Sequence, residues 1–174
     1  LDDYPHQLSG GMRQRVMIGL ALILNASLII ADEPTTSLDV IVEAQFLDLL
    51  RDLQHQFNLT IVLITHNIGV VAELSDRVAV MYAAKMMELA KAHLLFDEPL
   101  HPYTQGLLNS VPNINLAESG ALQTMHGAPP NLLNPPPGCR FHPRCPHAME
   151  RCRVEEPPFE EVRPGRWAAC WLYE

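Results

Sequence analysis

The chain has 174 residues, 48% of them hydrophobic and 18% charged, with a formal net charge of −8. This is a globular composition, sufficient for one domain or a domain with an appendage, and it excludes a disordered chain. The acidic balance excludes a nucleic-acid binder that works through a basic surface. The longest apolar run, Val16 to Leu24, is far shorter than the ~20 residues a membrane-spanning helix needs, and no secretory leader pattern is present, so a cytosolic or membrane-peripheral chain is expected.

The chain opens LDDYPHQLSGGMRQR and continues VMIGLALILN. Ser9, placed before two glycines and an apolar run, is a helix N-cap candidate. Gly10 and Gly11 leave the first-turn N–H groups accessible, and with the helix dipole behind them they form a ready anion site. The next stretch, LIIADEPTTSLD, runs from Leu28 to Asp39. Its apolar half suits a strand buried on both faces of a parallel sheet, ended by the carboxylates Asp32 and Glu33 and by Pro34. Chemistry in such sheets gathers beyond the carboxyl ends of the strands. One carboxylate facing a metal and one facing a water would suit phosphate hydrolysis; the plainer alternative is a polar turn.

Asp39 caps an expected helix from about Val40 to Gln56, with Phe46, Leu49, Leu50, Leu53 and Phe57 as its apolar stripe. After a turn at Asn58, LTIVLIT reads as a second buried strand that ends at Thr65 and His66. A short helix, Ile68 to Leu74, precedes RVAVMY and KMMEL, which read as a β-hairpin.

LSGGMRQR resembles the signature motif of ATP-binding-cassette (ABC) ATPases, and LIIADEP resembles their Walker B strand. Ser37 to Asp39 is similar to their D-loop, and Ile64 to Asn67 (ITHN) to their switch-histidine loop. The resemblance covers about residues 1–95. It implies an α/β fold, the C-terminal part of a P-loop NTPase core with a mostly parallel sheet. It further implies roles. Asp32 would help hold Mg²⁺, Glu33 would orient or deprotonate the attacking water, and His66 would contact the γ-phosphate. Ser9, Gly10 and Gly11, with Gln14 in the same nucleotide-contacting set, would meet ATP held by the opposite subunit, and Asp39 would link the two sites.

The family pattern is incomplete here. No glycine is followed by lysine, so the P-loop G-x-x-x-x-G-K-[ST] is absent, and so is the upstream glutamine loop. The chain is therefore expected to be part of a longer subunit and inactive by itself. An uncovered sheet face and edge are expected to make it associate. The hairpin turn holds Ala83-Ala84, and Ala90 follows, where the family usually has glycine; a non-glycine at positive φ could cost about 1 kcal/mol.

Composition shifts near Asp97, which sets an expected boundary between residues 1–95 and an extension over 96–174. EPLHPYTQGLL holds turn formers and then a short helical pattern, and APPNLLNPPPG reads as a semi-rigid connector. All four cysteines follow: Cys139, Cys145, Cys152 and Cys170, separated by five, six and seventeen residues. Disulfides suit secreted scaffolds. Structural zinc prefers C-x₂₋₄-C pairs, which are missing, although His142 and His147 are substitute ligands. An iron–sulfur cluster takes four thiolates at varied spacings. The residues alone leave zinc, cluster and free thiols open.

LHPYTQGLL and PPPGCRFHPRCPHAMERC are similar to the C-terminal extension of ATPase subunits from oligopeptide and dipeptide importers. That resemblance implies a four-iron four-sulfur cluster as a structural staple on Cys139, Cys145, Cys152 and Cys170, with Zn²⁺ the alternative. Arg140, Arg144, Arg151 and Arg153 are expected to offset its charge, with plain solvation the alternative. The implied cofactors are ATP and Mg²⁺. The implied partners are a homologous ATPase subunit, two membrane permeases and an extracytoplasmic substrate-binding protein, with the chain at the cytoplasmic face of the membrane. Import of nickel or another small solute is a second reading, and a truncated, non-catalytic metal-binding module a third. A DNA-repair ABC ATPase would need a basic surface and a coiled-coil insertion, and neither is seen.

Overall fold

The computed structural model describes residues 4–36, 38–110, 125 and 127–174. They form two compact units, residues 1–67 and 68–174. Among the described residues, no helix is long and apolar enough to cross a membrane.

The first unit holds helix α1 (Gly10–Ile23), strand β1 (Leu28–Asp32), helix α2 (Val40–Phe57) and strand β2 (Thr60–Ile64). The two strands pair in parallel, from Leu28 opposite Thr60 to Asp32 opposite Ile64. Their backbones thus end level, which places the residues after each strand side by side. Helix α2 follows its expected span and starts on its expected cap. Its buried stripe is Phe46, Leu47 and Leu50, whereas Phe57 is 52% exposed. Phe57 is the last helical residue, and the left-handed Asn58 turns the chain away beyond it.

The expectation of strands buried on both faces is not met: one face is half-covered and the other is open. Ile29, Ala31, Ile61 and Leu63 are partly covered, but Leu28, Ile30, Val62 and Ile64 are exposed. Helix α1 has no buried residue, and Val16, Met17, Leu20 and Ile23 are open to solvent. This is an apolar surface of the kind that partners or further chain ordinarily cover.

The second unit opens with helix α3 (Ile68–Leu74) and the hairpin of β3 (Arg77–Tyr82) and β4 (Lys85–Lys91). Helices α4 (Ala92–Asp97) and α5 (Pro102–Asn109) follow, then α6 (Glu150–Val154), β5 (Glu160–Arg163) and β6 (Arg166–Ala168). The sheet is antiparallel in the order β3-β4-β6-β5, so strands of the extension complete the sheet that the hairpin begins. The hairpin turn is tight, with Tyr82 opposite Lys85. Both turn residues are left-handed, Ala83 at φ 48° and Ala84 at φ 61°, a mirror-image turn that favours glycine or asparagine. Arg140 donates to the Ala83 carbonyl, and Arg144 donates to the Tyr82 hydroxyl at 3.2 Å, so the extension holds the strained turn. Ala90 sits inside β4, not in a turn, and is fully buried against Val80 and Leu95.

The most constrained group of this unit is Glu88, on β4 and 0% exposed. Its two carboxylate oxygens accept the backbone N–H groups of Leu100 and His101, each at 2.9 Å. Arg166 of β6 lies 3.7 Å from it and also donates to the Glu98 carboxylate, at 3.1 Å, and to the Glu98 carbonyl. Arg163 of β5 reaches Glu98 at 2.7 Å. One buried carboxylate therefore fixes the segment that launches α5, where His101 itself caps the helix by accepting from Tyr103 N–H at 2.9 Å.

Two outcomes follow. Glu88→Ala leaves two buried backbone donors without an acceptor and the Arg166 guanidinium with Glu98 alone, and it is expected to destabilise the chain by about 3–5 kcal/mol in chemical denaturation. Ala84→Gly relieves a left-handed alanine and is expected to raise stability by about 0.5–1 kcal/mol in the same assay; a loss would contradict the turn geometry.

Candidate functional site

The parallel register of β1 and β2 delivers the first cluster. Glu33 N–H donates to the Ile64 carbonyl at 2.8 Å, extending the ladder one residue past Asp32. Glu33 itself is left-handed, at φ 45°, a strained state for this residue type of a kind that concentrates at functional sites. The bend brings its carboxylate onto His66, with Oε1 2.8 Å from Nδ1, while Thr36 Oγ1 donates to Oε2 at 2.8 Å. The hydrogen bond from His66, then that from Thr36, lower the Glu33 pKa below the usual carboxylate value, so it is ionised at neutral pH. Asp32 is exposed at the end of the strand beside it. Asn67 anchors the histidine loop: its N–H donates to Thr65 Oγ1 at 3.1 Å and its side-chain amide to Glu43 of α2 at 3.2 Å.

Thr36 was missed in the sequence, although its position three residues after Glu33 puts it within reach of a carboxylate that folds back over the turn. Ser37, the first residue of the D-loop-like stretch, lies outside the described residues.

Two capped helix N-termini make a second feature of this unit. Ser9 accepts Met12 N–H at 3.3 Å, and Asp39 accepts Val42 N–H at 2.9 Å. Gly10 and Gly11 are the first two residues of α1, as their spacing predicts. Gly11 also has a packing reason: a Cβ there would stand 2.9 Å from a Val42 methyl, so glycine lets the first turns of α1 and α2 touch. Gln14 sits one turn further on, its amide donating to the Pro34 carbonyl, while its own side-chain oxygen is buried without a partner. Gln14 thus ties α1 to the turn after Glu33, and its amide nitrogen is engaged in that tie.

The third feature lies in the second unit. Cys139, Cys145, Cys152 and Cys170 come from four separate segments and line one small cavity, ≈ 10 Å³, with Phe141 and Trp171 in its wall. All four are free thiols. Gly138 makes the approach possible: it is left-handed, at φ 64°, and a Cβ there would lie 2.5 Å from the Cys152 carbonyl, which accepts Cys139 N–H at 2.9 Å. Burial raises the pKa of Cys139 and Cys145 and pushes Cys170 up to about 11, with the other cysteine charges adding to the burial. Such thiols keep their protons at neutral pH and give them up only to a cation.

Among the described residues, no three His, Cys, Asp or Glu side chains are gathered to grip a single metal ion. The four sulfurs share a wall without converging on a point. The donor set fits an iron–sulfur cluster in kind, and taking one up would require the side chains to part. The arginines expected to offset a cluster charge are engaged elsewhere: Arg140 and Arg144 on the hairpin, Arg151 on Glu155 and Glu174, Arg153 on Glu150. None of the four lines the cavity. His142 Nδ1 donates to the Cys139 carbonyl at 2.9 Å, and both His142 and His147 border the cavity.

Two family models match this chain. One, described as the ABC transporter family, matches residues 1–36, and the other, described as the oligopeptide/dipeptide transporter C-terminal region, matches residues 87–152. The chain is 55% identical over 168 residues to the oligopeptide transport ATP-binding protein OppD of Salmonella typhimurium, covering 97% of this chain and 50% of that protein. It is 53% identical over 174 residues to AppD of Bacillus subtilis, also an oligopeptide transport ATP-binding protein, covering all of this chain and 53% of the relative. It is 48% identical over 174 residues to the dipeptide transport ATP-binding protein DppD of Caldanaerobacter subterraneus, again covering 53% of the relative. The chain thus spans about half the length of the curated relatives it matches. Among solved structures, an inward-facing metal-chelate-type ABC transporter superposes with a TM-score of 0.53 at 28% identity, over 62% of this chain and 41% of that one.

Proposed function

From its kinship, along its whole length, with the ATP-binding proteins of oligopeptide and dipeptide ABC transporters, we propose that this chain is the C-terminal half of a subunit that hydrolyses ATP to drive peptide uptake. The observation that carries the hydrolytic part is the Glu33 carboxylate. It is held ionised between His66 and Thr36, just beyond the ends of two paired parallel strands. A carboxylate so placed serves as the base for a water attacking a phosphoryl group. In this reading His66, held by the same bond to Glu33, contacts the γ-phosphate and stabilises its developing charge. Asp32 is the residue for Mg²⁺, which when bound supplies neutralisation of the phosphate oxygens. Ser9, Gly10 and Gly11 offer first-turn N–H groups to the anionic nucleotide of a second subunit, with Asp39 at the neighbouring turn. Gln14 acts in this set by bracing α1 against Pro34.

Peptide cargo is favoured over a metal chelate or other solute by the degree of similarity: the peptide-transport relatives stand at 48–55% identity, the metal-chelate-type structure at 28%. The partners in this reading are a homologous ATPase subunit, two membrane permeases and an external substrate-binding protein, with the subunit at the cytoplasmic face of the membrane. The exposed faces of α1 and of the β1–β2 sheet are surfaces that the remainder of such a subunit would cover.

In the same reading the extension holds a four-iron four-sulfur cluster on Cys139, Cys145, Cys152 and Cys170, which would cross-link four segments of a small unit. The support is the shared cavity of the four thiols and the match to the transporter C-terminal family model, which reaches Cys152.

In the intact subunit, Glu33→Gln is expected to keep ATP binding and to lower turnover by about 10²–10⁴-fold, the usual share of a general base; undiminished hydrolysis would overturn the assignment. Anaerobic purification is expected to give about four irons and four sulfides per subunit, with a broad absorption near 400 nm. One zinc and a colourless protein would replace the cluster with a zinc staple that uses His142 or His147.

A further inference from the structure

The cysteine cavity has a stacked pair of side chains beside it that the proposed function does not use. Trp171 follows Cys170 directly, and Arg151 precedes Cys152 directly. These neighbours of two cysteines stack on each other: the Arg151 guanidinium carbon lies 3.5 Å from the Trp171 ring centroid. The indole N–H donates to the Glu155 carbonyl at 3.2 Å, which fixes the ring's rotation. The guanidinium is fixed in turn, donating through Nε to Glu155 at 2.7 Å and through Nη1 to Glu174. Trp171 lines the cavity, whereas Arg151 is exposed and does not line it. The indole therefore lies between the cavity and a solvent-facing guanidinium. Phe141, 1% exposed, lines the same cavity and packs on Tyr82 and Tyr103. That part of the lining belongs to the core. The part nearer solvent is made by Trp171 with the exposed His147, Met149 and Leu172, and of these the indole is the one clamped by a cation.

We propose that the Arg151–Trp171 stack is the solvent-side cover of the four-cysteine cavity and sets how fast small reagents reach the thiols and any iron–sulfur cluster they hold. This rests, for the cluster, on the reading given above; for the thiols it stands on the geometry alone.

The test compares the intact subunit with Trp171→Ala, Arg151→Met and Trp171→Phe, each purified anaerobically. The first readout is iron per chain at time zero; the second is the rate of iron release to a ferrous chelator. The third is the rate of carbamidomethylation of the four cysteines in metal-stripped protein, read by mass spectrometry. Equal starting iron is expected, with release and alkylation about tenfold faster in Trp171→Ala and Arg151→Met, a factor in keeping with a cation–aromatic contact. Trp171→Phe, which keeps a ring under the guanidinium, is expected to lie nearer the parent. Equal iron and equal rates in all four proteins would overturn the cover and leave the cluster reading intact. Lower starting iron with unchanged release and alkylation would also overturn it, since the pair would then only position the cysteines. Absence of iron from the parent would overturn the cluster reading alone. The alkylation rates would then decide the cover, faster in the variants upholding it and equal rates refuting it. If Trp171→Ala fails to fold, Arg151→Met carries the same comparison with the indole retained.

Discussion

The second unit depends on a carboxylate that has no water around it. Glu88 is fully buried in a strand, and taking a charge out of water costs several kcal/mol unless its lone pairs are met. Two backbone N–H groups and a nearby guanidinium meet them, and between them they bring two further pieces of chain. The N–H groups belong to Leu100 and His101, at the start of α5; the guanidinium belongs to β6. From there the constraint passes outward. His101 caps α5 and sets Tyr103, which packs with Tyr82 and Phe141, and Phe141 forms the inner wall of the cysteine cavity. Burial of His101 also lowers its pKa to about 4, so the cap stays neutral and keeps its lone pair for Tyr103 N–H. A charge inside a strand thus organises an otherwise irregular extension.

The sequence made the first unit legible because its chemistry is local. Ser9 and Asp39 were readable as caps, Asp32 and Glu33 as the end of a strand, and His66 as the end of its neighbour. What joins them is the parallel register, of which the sequence showed only a strand suited to a parallel sheet and a second buried strand after it. Thr36 and Gln14 were less readable in their actual contacts, since each acts through a backbone bend: the left-handed Glu33 for one, the Pro34 carbonyl for the other. The stripe on α2 was right at Phe46 and Leu50 and wrong at Phe57, where periodicity ran on but the chain had already turned away.

The second unit was less legible for a physical reason. Its determinants are long-range pairs: Glu88 with Leu100 and Arg166, Arg140 with Ala83, Arg151 with Trp171. Nothing in a strand pattern such as KMMELAK says that its glutamate faces inward, because isolated charges inside strands are rare. The arginines beside the cysteines illustrate the same limit. Proximity in sequence suggested charge compensation, while three-dimensional contacts give two of them to a hairpin turn and one to an indole.

The two clusters are held in opposite ways, and that difference bears on what each can do. Glu33 and His66 are fixed by backbone register and by hydrogen bonds between partly exposed side chains, so their pairing does not require the apolar faces of α1 and the sheet to be covered. A site of this kind is preformed but open, and water exclusion must come from whatever closes over it. The cysteines are wholly or half buried with little space between them, and burial raises the pKa of Cys139, Cys145 and Cys170. A site of this kind is closed but poised, and it acquires charge only when a cation replaces its protons. The first arrangement suits a reaction in which substrate enters and product leaves at every turnover. The second suits a group that enters once and stays, and the side chain clamped between cavity and solvent, Trp171 under Arg151, is where access to it would be controlled.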